Sequence, residues 1–281
     1  MDIKNVLEKA LQHNGSNKHP GLLHMYIHFI DMSPNPELGV DIANNLRNLI
    51  PDAGHLQHMP SHLEILVGSY SASIESNYNA TLADDKFLIN EGAYNFYSFY
   101  RLHDYHSLIY AAMFAGKKCV AIESVNCMEK TIPDDLLRVH SPPMADWLET
   151  FMAVRLHVLV RFGMWNEIID INIPNDKDVY CVTTATTHYA KGVAFAAIGN
   201  IQEAERQRDL FETSRKNVPI SRLDFPNKCV DILAVDSAML DGEIEYRRGN
   251  YKNAFKSLRK SNELEDKLVY SEPWKEGRKE I

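Results

Sequence analysis

Seven of the chain's twelve histidines fall in three short stretches: His24 and His28 in HMYIH, His55, His58 and His62 in GHLQHMPSH, and His103 and His106 in RLHDYH. Residues four apart lie one turn from each other on one helical face, so His24 with His28, and His58 with His62, can aim two imidazoles at one point. His103 and His106, three apart, can do the same. Neutral imidazole is the commonest ligand for zinc, copper, iron and nickel, and facing pairs on rigid helices complete a coordination shell. With no cysteine close by, the pattern favours catalytic zinc, copper or non-haem iron over a cysteine-rich structural zinc. The expected ligands are therefore His24, His28, His58, His62, His103 and His106, around a divalent transition metal: copper, iron or zinc. Glu64, Glu91 and Asp104 stand near the clusters as candidates for a ligand, an orienting group or a base.

Packing competes with ligation at every one of these positions, because a histidine also starts helices and fills helix interfaces. It is the preferred reading for His55, beside Gly54 at a helix entrance, while the isolated His13, His140 and His157 read as solvated or packed. At His103 and His106 the two readings balance, since YNFYSFYRLHDYHSLIY is aromatic enough to form a stacked core. Side-chain direction separates them: ligands converge on one point, whereas packing residues face separate interfaces.

Other chemistry lacks its signature. There is no G-x-x-x-x-G-K-[ST], G-x-G-x-x-G or G-x-S-x-G. A zinc peptidase needs H-E-x-x-H, and the second residues here are Met25 and Met59. A net charge of −8 without a dense Lys/Arg block argues against a nucleic-acid partner, which requires a basic surface. The four cysteines form no CxxC pair and read as reduced thiols of a cytoplasmic protein. No apolar run has the length of a membrane span, and the N-terminal stretch reads as a short amphipathic helix rather than a signal peptide.

The elements that must position the histidines are helices. In five segments a glycine ends one helix and a second opens about two residues later: Gly68 with Tyr70, Gly116, Gly163 with Trp165, Gly199, and Gly249 with Tyr251. Ala72, Ala204 and Ala254 are expected where adjacent helices approach closely. The glycines recur every ~36–50 residues, longer than the tetratricopeptide period of about 34, so the units read as degenerate. PNPELGVDIANNLRNLIPDAG predicts a further helix, with Leu38, Ile42, Leu46 and Leu49 on its apolar face and Pro51 as its stop. Segments around Pro133, Pro142 and Pro143, around Pro174, and around Pro219 and Pro226 read as loops, and strand content should be negligible. The expectation is an all-α, curved solenoid of degenerate helical hairpins. It forms one domain over 1–281, with His-rich N-terminal helices in 1–63 and degenerate repeats in 64–281.

HPGLLHMYIHFIDMSPNPE, PDAGHLQHMPSHLEILVGSY and YRLHDYHSLIYAAMFAGK, continuing through HYAKGVAFAAIGN, GEIEYRRGNYKNAF and LVYSEPW, resemble a group of tetratricopeptide-repeat proteins of bacteria and lower eukaryotes. The resemblance covers nearly the whole chain from His19 onward and implies a curved helical-repeat fold; the group is labelled by its repeats rather than by an activity. Matching positions are His19, His24, His28, His55, His58, His62, His103, His106 and His188, with Glu245 and Glu272 later. Glu64 stands where an aromatic is usual; such proteins usually carry further repeats before the HPG segment and another helix pair after the EPW segment, so the resemblance implies a trimmed version of the group.

Two functions follow. The leading one is a metal-dependent redox or hydrolytic enzyme acting on a small-molecule substrate, with histidines converging in the solenoid's hollow, His188 reaching the same hollow, and a bound water or oxygen species activated at an open coordination position. The alternative is a non-enzymatic adaptor binding a peptide or protein on its concave face.

Overall fold

Glycine decides where the helices turn. In the computed structural model, which describes residues 3–270, Gly68, Gly116, Gly163, Gly199 and Gly249 all have positive φ, from 63 to 85°. After each, the next residue returns its N–H to the carbonyl five residues back: Ser69 to Glu64 (2.7 Å), Lys117 to Ala112 (2.8 Å), and Met164 to Leu159, Asn200 to Phe195 and Asn250 to Glu245 (2.9 Å each). This closure satisfies carbonyls that a helix end leaves orphaned, and it needs a residue without a Cβ penalty in the left-handed region. Five residues beyond each glycine the next helix buries one side chain completely: Ser73, Ala121, Ile168, Ala204 and Ala254. Ala204 and Ala254 occupy that position as expected. Ala72 does not; it is half-exposed, and its neighbour Ser73 makes the close approach.

The described residues gather into two compact units, one ending at Ile132 and the other beginning at Pro133. The first comprises α1 (Ile3–Leu11), α2 (Pro20–Asp31), α3 (Val40–Leu46), α4 (Gly54–His58), α5 (Pro60–Leu66), α6 (Tyr70–Glu91), α7 (Tyr97–Phe114) and α8 (Lys118–Lys130). The second comprises α9 (Met144–Leu148), α10 (Val154–Arg161), α11 (Trp165–Asp170), α12 (Cys181–Ala197), α13 (Ile201–Arg215), α14 (Cys229–Arg247) and α15 (Tyr251–Glu265). Almost the whole described chain is helical or turn, and its sheet is a two-stranded ladder, Leu223–Asp224 against Asn227–Lys228. No helix among the described residues is long and apolar enough to cross a membrane. Glu272 and the EPW segment lie outside the described residues.

In the first unit, Leu23, Ile27, Leu46, Met59 and Leu63 are fully buried in one cluster that joins α2, α3 and α5. Each such side chain contributes about 1.5–3 kcal/mol relative to exposure. The α3 segment is shorter than expected: Leu38 sits 68% exposed in a 3-10 turn (Pro36–Gly39), and Arg47, at ψ 126°, leaves the helical region. Ile42 and Leu49 still pack on the cluster's margin. Pro60 opens α5 and lacks the N–H that would continue α4, so the two short helices meet at Met59. The inward face of α6 is unusual, for Ser73, Ser76, Asn77, Ala80, Thr81, Ala83 and Asp84 are all buried there and none is a large apolar residue.

In the second unit, α12 is buried along most of its length and packs against α10, α11, α13 and α14. The Glu149 carboxylate accepts the N–H groups of Val182 (3.1 Å) and Thr183 (2.7 Å), taking the place of a local cap at the start of α12.

Two glycines separate backbone strain from steric overlap. At Gly199 a Cβ meets nothing, so Gly199→Ala should cost only the left-handed penalty, about 1–2 kcal/mol. At Gly54 a Cβ would overlap the Asp84 carboxylate, so Gly54→Ala should cost ~3 kcal/mol and displace α4. Chemical denaturation of both variants measures this; equal losses would contradict it.

Candidate metal centre

One face of α2 carries His24, His28 and Asp31, at i, i+4 and i+7. From α4 come His55 and His58, from α5 His62, and from α7 His103 and Asp104. Their rings run into one another, with centroids 4.8 Å apart for His24 and His28, 5.3 Å for His24 and His55, and 5.0 Å for His28 and His62. His58 lies 4.9 Å from His62 and 4.6 Å from His103. Potential ligand atoms fall into three overlapping sets, each with all atoms within 4.8 Å of one another: His24, His28 and His55; His28, Asp31 and His62; and His55, His58, His103 and Asp104. This buried cluster can bind a metal.

Hydrogen bonds fix the direction of the central rings. Asn77 Nδ2 donates to the Ser73 carbonyl at 2.9 Å, which turns its Oδ1 toward His58 Nδ1 at 2.7 Å. An amide oxygen only accepts, so the His58 proton sits on Nδ1. His62 Nδ1 lies 2.8 Å from Asp31 Oδ2 and donates to it, and the His62 proton is therefore on Nδ1 as well. Both neutral rings then present bare Nε2 lone pairs, and these two atoms meet at 2.9 Å. His103 Nε2 lies 3.2 Å from His58 Nε2. Two ligands of a tetrahedral ion with bonds of ~2.0–2.1 Å stand ~3.3 Å apart, close to the spacing found here.

Burial favours the neutral form of four of these rings, His24, His55, His58 and His62. It pushes His24 down to about 4, helped by His28 and His62, and His55 down to about 3, helped by His24, His62 and His28. His58 is held well below the usual imidazole value by burial and by His103, His62 and His55; burial lowers His62 too, against the pull of Asp31. At Asp31 burial opposes ionisation, but His28, 3.8 Å away, and the hydrogen bond from His62 outweigh it and hold the carboxyl below its ordinary range. Neutral imidazole and ionised carboxylate are the forms that bind metals. His24 Nε2, His55 Nδ1 and Asp31 Oδ1 are buried with no hydrogen-bond partner in the protein, and an ordered water or an ion would satisfy them.

Of the six expected ligands, His24, His28, His58, His62 and His103 fall in these sets, and His106 falls in none. His55, read from sequence as packing, belongs to two. Asp31 is an addition; its position three residues after His28 and seven after His24 was the available signal. His19 caps α2, its Nδ1 accepting from Leu22 N–H at 3.1 Å. Glu64 pairs with Arg47, and Glu91 is exposed at the end of α6. His188 lies in the second unit, its Nδ1 at 2.8 Å from Gln207 Oε1. No family model matches this chain, and the searches of curated proteins and of solved structures likewise return no match.

The depressed histidines set the acid stability of the unit. An imidazole unfolded at about 6.5 binds more protons than the same ring folded with a pKa of about 4 or 3, so stability is full above pH ~6.5 and falls as pH drops through those folded values. Denaturation curves of metal-stripped protein between pH 7 and 4 should show this loss, and His24→Ala should flatten it. An acid limb unchanged in that variant would contradict the assignment.

Proposed function

We propose that the first unit holds a divalent transition ion among these histidines and uses it for hydrolytic or redox chemistry on a small-molecule substrate. The observation that carries the reading is the contact of His58 and His62 Nε2 at 2.9 Å, with both ring protons committed to Asn77 and Asp31. Two lone pairs at that distance repel, and binding to cations converts the repulsion into bonds. Orienting partners of this kind, an amide behind one imidazole and a carboxylate behind the other, typically accompany metal-bound histidines and raise their basicity.

Imidazole with carboxylate suits zinc, copper or iron. Such an ion supplies Lewis acidity and lowers the pKa of a bound water. Around it, Asp31 and Asn77 hold the rings, and the apolar cluster of α2, α3 and α5 keeps bulk water from one side. A narrow cleft lined in part by Ser61, His62, Asn77, Ser107 and Tyr110 lies beside His62, with a cavity volume of about 10 Å³, the size of about one water.

The glycine-closed hairpins support counting the chain among degenerate tetratricopeptide-type arrays, and the four free cysteines support a reducing, cytoplasmic setting. In an adaptor the histidines would line a peptide groove or hold irregular helices together; His58 and His62, 0% and 1% exposed, suit only the second of these roles.

Elemental analysis of protein purified without an affinity tag or added metal tests the reading. Copper, iron or zinc should be present near stoichiometry and be lost in the His58→Ala, His62→Ala double variant. Zinc at a hundred times its dissociation constant should add about 2.7 kcal/mol, raising Tm by roughly 5–10 °C. Protein that arrives metal-free and takes up no added ion would leave the peptide-binding scaffold as the better description.

A further inference from the structure

We infer that this centre takes two ions side by side, a count that rests on the metal reading above and goes beyond it. The ligand atoms contain two sets with no residue in common: His55, His58, His103 and Asp104, drawn from α4 and α7, and His28, Asp31 and His62, drawn from α2 and α5. Within each set the atoms lie no more than 4.8 Å apart. Opposite ligands of one ion with bonds of ~2.1 Å are separated by ~4.2 Å, so each set is close to the span of a single ion. Together they supply seven side chains, more than the four to six ligands that copper, zinc or iron accepts.

The two sets meet where His58 Nε2 from the first faces His62 Nε2 from the second at 2.9 Å, and again where His55 approaches His28. Nitrogens 2.9 Å apart hold two ions, each bonded at ~2.1 Å to its own ring, within about 7 Å of each other, a range that includes the ~3.5–4 Å of two-metal centres. Each set also brings one carboxylate to offset charge. Asp104 Oδ1 lies 3.8 Å from His58 Nδ1 and 3.9 Å from His103 Nε2. Asp31 uses Oδ2 to orient His62, while its other oxygen, Oδ1, is buried with no hydrogen-bond partner. His24, grouped with His28 and His55 at the outer edge, stands where it can complete either shell, and its Nε2 is likewise buried without a partner. A pair of first-row divalent ions held in this way can grip the attacking and the departing oxygen of a hydrolytic displacement at once.

The test is a stoichiometry. Chelator-stripped full-length chain is titrated with Co²⁺ and read by native mass spectrometry, with circular dichroism on every variant to exclude misfolding. The intact chain should bind two equivalents; His28→Ala with Asp31→Asn should bind one, and His103→Ala should also bind one. Because a variant can fail to fold, the unaltered chain is also loaded with Cu²⁺, where adjacent ions should give a dipolar-broadened resonance with a half-field transition. Saturation at one equivalent, or two copper ions with separate isolated spectra, overturns the two-ion centre and leaves the single-ion reading standing. No binding at all overturns both.

Discussion

A completely buried imidazole, His58, is the constraint from which the first unit is built. Its two nitrogens need opposite things: Nδ1 must have an acceptor, and Nε2 must have a donor or a cation. Asn77 answers the first need, and His62 and His103 close in on the second. An unsatisfied polar group in such a place costs roughly 1–3 kcal/mol, so the surroundings have to be arranged for it. That requirement accounts for features that hydrophobic packing leaves unexplained.

The clearest of these is α6. A helix on the margin of a core normally turns an apolar stripe inward, yet here the inward stripe is serine, asparagine, alanine, threonine and aspartate. Asn77 on that stripe orients His58, and Asp84, one face-repeat further on, accepts from the Tyr97 hydroxyl at 2.7 Å. Gly54 allows the start of α4 to come against Asp84, which brings His55 and His58 within reach of α7. Pro60 then breaks the helix between His58 and His62, and their rings still meet edge to face.

Much of this was legible in the residues. The five glycine turns could be read because their chemistry is local: a left-handed residue at a helix end leaves glycine in the sequence. The histidine pairs could be read because spacing of four fixes a common face. The Ala72 position was misread by one residue, since serine and alanine both suit a close approach and composition alone does not choose between Ala72 and Ser73. Leu38 was misread because apolar spacing continued across a turn that Arg47 and the Pro36–Gly39 segment cut short. His55 reads from sequence as packing, and Asp31 is not singled out, for a different reason: their places in the sets depend on which helices face one another, a long-range fact that no local pattern carries. His106 shows the converse: its spacing fits, and none of the three sets includes it.

Exposure is graded across the six rings. The side chain of His28 is 31% exposed, that of His103 8%, and His58 is sealed. An ion arriving from water would therefore meet the α2 histidines first and pass from ring to ring, changing one partner at a time, before it reached the interior. Departure would follow the same stairway in reverse. Residence time at the innermost position would then be governed by the mobility of α2 as much as by bond strength, so that capture and retention become separable properties encoded on different helices.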